Sequence, residues 1–131
     1  MTRLVRDVMH AGVVACDERT MLRDALRIMV DNTIRSIVVT DAACSLCGIV
    51  SQTDLVNASL SHPDEWGQMP VSRIMTKQVL TVTPDTEIDA ATKVLVANHV
   101  HRIIVVSSED PCSAVGVLSM SDVVRDMMED E

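Results

Sequence analysis

The sequence predicts an α/β fold made of two copies of one small unit, each a short sheet with helices packed on one side. Three observations lead to this prediction: the chain repeats itself, each copy combines a helical apolar pattern with short β-branched runs, and the composition is globular. Of the 131 residues, 47% are hydrophobic and 23% are charged. This length suffices for one compact core but not for two conventional independent domains.

The internal repeat emerges when the sequence is shifted by 66 positions. The shift superimposes residues 5–9 (VRDVM) on residues 71–75 (VSRIM) and pairs Ile37 with Ile103. After a two-residue insertion the shift becomes 68, which pairs Gly48 with Gly116, Ser51 with Ser119 and Asp54 with Asp122. We therefore predict a first repeat at 1–60, a connector at 61–70 and a second repeat at 71–131.

Each copy has the same predicted order of elements: helix, short strand, helix, strand, strand, helix. In the first copy six apolar residues recur at helical spacing and are expected to face inward: Met21, Leu22, Ala25, Leu26, Met29 and Val30. Pro84 is predicted near the start of the matching helix in the second copy. Short strands are predicted at 37–40, 48–51, 103–106 and 115–119. Because a half of about 60 residues buries too little surface to be comfortably stable, we expect the two sheets to pack face to face around a cleft.

The composition narrows the possible functions. A net charge of -8, without Phe or Tyr and with a single Trp, disfavours a nucleic-acid partner. No apolar run could span a membrane and residues 1–10 have no signal-peptide core, so we expect a cytoplasmic protein with no membrane partner. Nothing resembles a nucleophile with a general base or a glycine-rich phosphate loop, so catalysis is not predicted.

At these repeats the sequence closely resembles the cystathionine β-synthase (CBS) domain family in its tandem-pair form. The segments that carry the resemblance are VRDVM, TMLRDALRIM, RSIVV and GIVSQTDLV in the first copy, and VSRIMTKQVLTVTPDTEIDAA, VHRIIVV and GVLSMSDVV in the second. The resemblance implies a regulatory module, without a cofactor, that binds AMP, ADP, ATP or S-adenosylmethionine. It also implies a homodimer joined by exposed helix faces, and an enzyme, channel or transporter that reads a ligand-induced population shift.

The sharpest chemical feature is a Ser-x-x-Asp pair in each copy, Ser51 with Asp54 and Ser119 with Asp122, where a predicted strand turns into a helix. A carboxylate there can accept both hydrogen bonds from a ribose diol, while the Ser hydroxyl and first-turn N–H groups can receive phosphate. The resemblance implies the same use. The alternative is a capping box, in which both side chains satisfy first-turn donors without a ligand.

The resemblance implies further ligand contacts. His101 and Arg102 would reach phosphate, to which a forked guanidinium is suited, and because the first copy has Arg35 and Ser36 there we expect two inequivalent sites. Adenine would lie against residues that open the first strand of each copy, with a lysine adding charge: Val13, Val14, Val79, Leu80 and Lys77. The alternatives are solvated basic residues and ordinary core packing.

Four cysteines, Cys16, Cys44, Cys47 and Cys112, do not have the spacing of a secreted disulfide framework. Cys44 and Cys47 form a CxxC whose spacing suits half a zinc site or a redox pair, or simply a surface turn, and no metal is predicted. Two other functions stay open beside the nucleotide sensor. One is a ligand-free structural or docking subunit, and the other is a thiol or zinc sensor that uses Cys44 and Cys47.

Overall fold

A computed structural model describes residues 3–129 and shows a mixed α/β protein with two small sheets. The first half contains α1 (Val5–Val8), β1 (His10–Ala11), β2 (Ala15–Asp17), α2 (Leu22–Asn32), β3 (Ser36–Thr40), β4 (Leu46–Ser51) and α3 (Gln52–Ser61). Two short 3-10 helices follow, Trp66–Gln68 and Val71–Arg73. The second half contains β5 (Thr81–Val82), α4 (Ile88–Ala97), β6 (Arg102–Val106), β7 (Ala114–Ser119) and α5 (Met120–Glu129). The predicted α/β fold class is confirmed.

The described chain divides into two compact units. Residues 14–79 form the contiguous unit, and residues 3–13 together with 80–129 form the discontinuous unit. The sheet of the contiguous unit has the order β2-β3-β4, with β2 parallel and β4 antiparallel to β3. The sheet of the discontinuous unit has the order β1-β7-β6-β5, in which β5 is parallel to β6 and β1 adds an antiparallel edge to β7.

The first residues of each sequence repeat pack in the unit formed mainly by the other repeat. Val5 is fully buried in the discontinuous unit, and its N–H donates to the Thr86 carbonyl at 2.8 Å. Its repeat equivalent, Val71, is fully buried in the contiguous unit and donates to the Thr20 carbonyl at 2.8 Å. The boundaries 1–60, 61–70 and 71–131 therefore stay a prediction about the sequence repeats, while the compact units divide the chain after Val13 and Val79.

Each unit has its own apolar core beneath its sheet. In the contiguous unit Leu22, Ala25 and Met29 of the predicted α2 stripe are buried. Met21, Leu26 and Val30 are exposed, which corrects the expectation for them, since Met21 precedes the helix and the other two each lie one residue past a buried position. The helix ends where Thr33 adopts a left-handed φ of 54°. Met69, inside the predicted connector, belongs to the same core, and its carbonyl accepts the Leu22 N–H at 2.8 Å. The predicted connector is thus partly an integral piece of this unit.

The remaining differences from prediction concern short elements. The four later strands begin one or two residues before their predicted starts, and β1 is an additional strand that local periodicity does not predict. The expectation that Pro84 lies near the start of α4 is corrected, because that helix begins at Ile88. Pro84 instead lies in the preceding turn, where the Thr83 hydroxyl donates to the Asp85 carboxylate at 2.7 Å.

Two repeat-equivalent glycines let the leading segments approach the sheets. A Cβ built on Gly116 would lie 2.6 Å from the backbone oxygen of His10. A Cβ built on Gly48 would lie 2.5 Å from Met75 Sδ and 3.1 Å from the backbone oxygen of Thr76. Since real Cβ atoms do not come within 3.0 Å of backbone atoms, the position of Gly116 requires glycine, whereas at Gly48 the flexible Met75 side chain would have to move.

Candidate functional site

The start of α3 presents the first Ser-x-x-Asp pair. The Ser51 N–H donates to Asp54 Oδ2 at 2.8 Å, and the Asp54 N–H donates to Ser51 Oγ at 3.2 Å. This is a complete capping box, so the helix-capping role that the sequence offers as the alternative to ligand binding is present. Within residues 3–129 the other carboxylate oxygen of Asp54 has no hydrogen-bond or ion-pair partner, and the side chain is only half-buried. That oxygen is able to accept hydrogen bonds from a ligand.

The start of α5 has the same backbone arrangement. The Ser119 N–H donates to Asp122 Oδ2 at 2.9 Å, and the Asp122 N–H donates to Ser119 Oγ at 3.2 Å. Here the other oxygen is also engaged, because Asp122 Oδ1 lies 3.0 Å from His10 Nδ1 and also pairs with the Arg125 guanidinium. The Asp122 side chain is 1% exposed, whereas those of His10 and Arg125 are 68% and 63% exposed.

The surroundings of Asp122 favour its charged form. Burial by itself raises the pKa of this carboxyl, but the hydrogen bonds from the Ser119 backbone and side chain and from His10 outweigh burial. The net pKa of Asp122 therefore lies below its usual value. A buried carboxylate held ionised by several donors is a stable anchor for the two basic side chains that contact it, His10 and Arg125.

The backbones of His101 and Arg102, which are predicted to contact phosphate, lie next to the start of α5. Arg102 opens β6 directly opposite Ser119 on β7, and the carbonyl of the exposed residue His101 accepts the Met120 N–H at 2.7 Å. In the contiguous unit Arg35 is exposed and holds the equivalent place, with its carbonyl accepting the Gln52 N–H at 2.9 Å. The backbone pairing thus places Arg102 next to Ser119 and His101 next to Met120 at the start of α5.

The residues expected to hold adenine immediately precede a strand instead of opening one, which corrects the sequence expectation. Val13 and Val14 lie before β2, and Val79 and Leu80 lie before β5. The Val14 carbonyl accepts the Val38 N–H at 3.1 Å, and the Leu80 carbonyl accepts the Ile104 N–H at 3.3 Å. Lys77 is exposed. Val13 and Leu80 belong to the discontinuous unit, and Val14, Lys77 and Val79 to the contiguous unit.

Sequence reasoning missed His10 and Arg125. A signal for them existed in the repeat, since the shift that aligns the two copies puts Thr76 at the position of His10 and Asn57 at that of Arg125. Both positions replace an uncharged residue of one unit by a basic residue in the other. When two copies share a motif, a change of charge at a neighbouring repeat-equivalent position indicates that the surroundings of the motif differ between the copies.

Cys16 and Cys47 do not have the environment of reactive thiols. Burial and the neighbouring Glu18 raise the pKa of Cys47, whose Sγ lies 3.6 Å from Glu18 Oε2. Burial also raises the pKa of Cys16. Since reactive thiols have a lowered pKa, neither is an activated nucleophile. No group of three or more His, Cys, Asp or Glu side chains between residues 3 and 129 is arranged to hold a metal ion.

No helix in the described part of the chain combines the length and the apolar character that crossing a membrane requires. The helices with a predicted role at the site are short, and α3 and α5 have 10 residues each.

Comparison with known proteins identifies the fold family. The sequence model of the family described as CBS domain matches residues 5–61 and 71–129. An uncharacterised 17.7 kDa protein of Acidianus ambivalens is 25% identical over 129 residues, which are 98% of this chain and 76% of that protein. The structure of CBSX2 in complex with AMP is 24% identical, covers 97% of both chains and has a TM-score of 0.83.

A second solved structure extends the likeness to the full length. It is the CBS domain pair of protein MJ0100 in complex with 5′-methylthioadenosine and S-adenosyl-L-methionine, 20% identical, with 100% of both chains covered and a TM-score of 0.85. At such identities these two structures establish the fold alone. Because the family model matches both repeats over most of the chain, this protein belongs to the CBS domain family.

Proposed function

We propose that this protein is a non-catalytic regulatory sensor whose CBS repeats bind an adenosine-type ligand, one of AMP, ADP, ATP or S-adenosylmethionine. The observation that carries the proposal is the start of α3, where Asp54 has one oxygen held by the cap and the other without a partner among the described residues. Two vicinal hydroxyls of a ribose match this acceptor. Structures of similar fold, CBSX2 and MJ0100, bind AMP and S-adenosylmethionine with 5′-methylthioadenosine, respectively.

The other residues that the family resemblance implies have matching chemistry. We propose phosphate contacts for His101, Arg102, Arg35 and the hydroxyls of Ser51 and Ser119, and apolar contacts to adenine for Val13, Val14, Val79 and Leu80, with Lys77 adding positive charge. Arg102 and His101 support this assignment because they flank a helix start, where first-turn N–H groups attract anions. Ligand binding would then favour one of several conformations that a partner protein distinguishes.

The proposal includes a homodimer and a regulated enzyme or transporter in the cytoplasm. Apolar side chains on α3 and α5 support an interface on these helices, because Leu60 is 76% exposed and Met128 73% exposed. Sedimentation velocity at micromolar concentration is expected to give a dimer. A monomer at all concentrations would reject this part of the proposal without affecting ligand binding.

Calorimetric titration with AMP, ADP, ATP and S-adenosylmethionine tests the sensor function. We expect saturable binding of at least one ligand, and at least tenfold weaker binding in Asp54→Asn, which keeps the size of the side chain but removes its charge. Asp89→Asn is the matched control, since Asp89 is an exposed carboxylate in the first turn of α4 but outside the Ser-x-x-Asp motif. Unchanged heat and unchanged thermal stability with all four ligands would favour the docking-subunit alternative.

A further inference from the structure

We infer that His10 and Arg125 determine which half of this protein takes the ribose: they close Asp122 to a diol and leave Asp54 as the carboxylate that receives it. The inference rests on the proposed function and extends it, because it assigns the working carboxylate and names the residues that silence the other. Neither His10 nor Arg125 belongs to the Ser-x-x-Asp motif.

The two carboxylates differ in their remaining capacity to accept hydrogen bonds. Asp122 receives the Ser119 N–H on Oδ2, and His10 and Arg125 both contact Oδ1, while the side chain is 1% exposed. A ribose diol could bind Asp122 only by displacing a cation from a buried carboxylate, which costs more than an unsatisfied neutral hydrogen bond. Asp54 receives the Ser51 N–H on Oδ2 and is half-buried, so a diol needs to displace only water.

The two repeats provide an internal comparison that isolates the side chains. The backbone of His10 pairs with Val117 on β7, and the backbone of its equivalent, Thr76, pairs with Ile49 on β4. The frames around the two carboxylates are therefore the same. The difference lies in two exposed side chains. The discontinuous unit has His10 and Arg125 at the positions where the contiguous unit has Thr76 and Asn57. Restoring the pair Thr and Asn around Asp122 is thus a rational way to open it.

The test counts bound ligand by equilibrium dialysis with radiolabelled AMP and S-adenosylmethionine. We expect one ligand per chain in the wild type, binding at least tenfold weaker in Asp54→Asn, and a second ligand per chain in His10→Thr/Arg125→Asn. The double variant loses positive charge, so a gain of an anionic ligand such as AMP cannot come from general electrostatic attraction. His99→Thr/Lys93→Asn is the control, because it removes an exposed histidine and an exposed cation from the same unit.

Two ligands per chain in the wild type, or none gained by the double variant while the first still binds, would overturn the inference. Retained binding in Asp54→Asn would do the same. The double variant keeps Asp122, so the test does not depend on whether Asp122 can be replaced without unfolding the chain.

A ligand-free measurement separates this inference from the proposed function. If the wild type binds none of the ligands, the sensor proposal fails, and thermal unfolding then decides whether Asp122 is occupied. We expect the drop in Tm caused by His10→Thr to be at least halved in an Asp122→Asn background, because the partner is already missing. Equal drops in both backgrounds would show that His10 does not hold Asp122.

Discussion

The starts of α3 and α5 have the same capping box but differ in the side chains that contact its aspartate. In both, a serine and an aspartate exchange hydrogen bonds with each other's backbone, at 2.8 and 3.2 Å around Asp54 and at 2.9 and 3.2 Å around Asp122. Only Asp122 is met by a side chain of the leading segment, His10, and by a side chain one turn further along its own helix, Arg125. Both units thus have the cap, but among the described residues only in the discontinuous unit do other side chains also contact the capping carboxylate.

This difference teaches that a duplicated fold can keep its backbone frame while its copies take different roles. Position 10 is far from Asp122 in sequence and reaches it only because β1 joins the edge of β7. A substitution in a leading segment therefore alters the helix start of the opposite repeat.

The largest difference is expected on removing the two carboxylates. Asp122→Ala leaves His10, Arg125 and the Ser119 N–H without their buried acceptor and should lower the free energy of unfolding by about 3 kcal/mol. Asp54→Ala loses only a helix cap and should cost about 1 kcal/mol. Urea unfolding at pH 7 measures both, and equal losses would contradict the asymmetry.

The pH dependence of the stability contributed by Asp122 is a control for the larger of these two losses. Since the folded-state pKa of Asp122 lies below its usual value, the carboxylate stabilises the protein above the unfolded pKa of about 3.9. That contribution is lost as the pH falls through the folded pKa, with His10 and Arg125 as the charged groups that face the carboxylate. The stability difference between wild type and Asp122→Asn should thus shrink below about pH 4. A difference that grows on acidification would contradict this assignment.

The two glycines give the next comparison. Gly116→Ala would push a methyl group against the backbone oxygen of His10, which cannot rotate away, and should cost about 2 to 3 kcal/mol. Gly48→Ala meets first the flexible end of Met75 and should cost about 1 kcal/mol. Thermal unfolding of the two variants ranks them, and a larger loss at Gly48 would mean that the contiguous unit is packed more rigidly than its contacts indicate.

The smallest net effect is expected on exchanging an ion pair that only the discontinuous unit has for the two apolar residues of the other unit. Arg3 pairs with the buried Asp126, whereas the equivalent positions of the contiguous unit are the core residues Met69 and Ala58. Arg3→Met alone should cost about 2 kcal/mol, because it leaves a buried carboxylate unpaired. Arg3→Met/Asp126→Ala, which copies the other unit, should recover most of this loss in urea unfolding. A double variant less stable than the single one would show that the apolar solution does not transfer.

Much of the fold follows from sequence periodicity. The stripes of α2 and α4 and the β-branched runs are long enough for their spacing to identify them, and the repeat places them twice. The leading segments are different, because α1 has 4 residues and β1 has 2, too few to show any period. Nor does a local pattern say which repeat a segment will join, since equivalent positions such as Val5 and Val71 have the same apolar character.

The site was predictable in its motif but not in its neighbours. The Ser-x-x-Asp spacing predicts both the cap and a carboxylate at a helix start, and the cap is observed in both units. Contacts of Asp122 with His10 depend on tertiary pairing that no local rule provides. The repeat has Thr76 at the position equivalent to His10, which marks His10 as a difference between the copies. Only the pairing of β1 with β7 shows that His10 reaches Asp122.

The division of the chain also sets an order in time. During synthesis, residues 14–79 leave the ribosome as an uninterrupted stretch and contain every strand of their sheet, so this unit can close as soon as it emerges. Residues 3–13 are made before this unit, but Val5 and His10 find their partners Thr86 and β7 only after the rest of the discontinuous unit has been made. Residues 3–13 are thus fixed in place after the unit that follows them in the chain, and the His10 side chain reaches Asp122 after the helix start that holds Asp54 has formed.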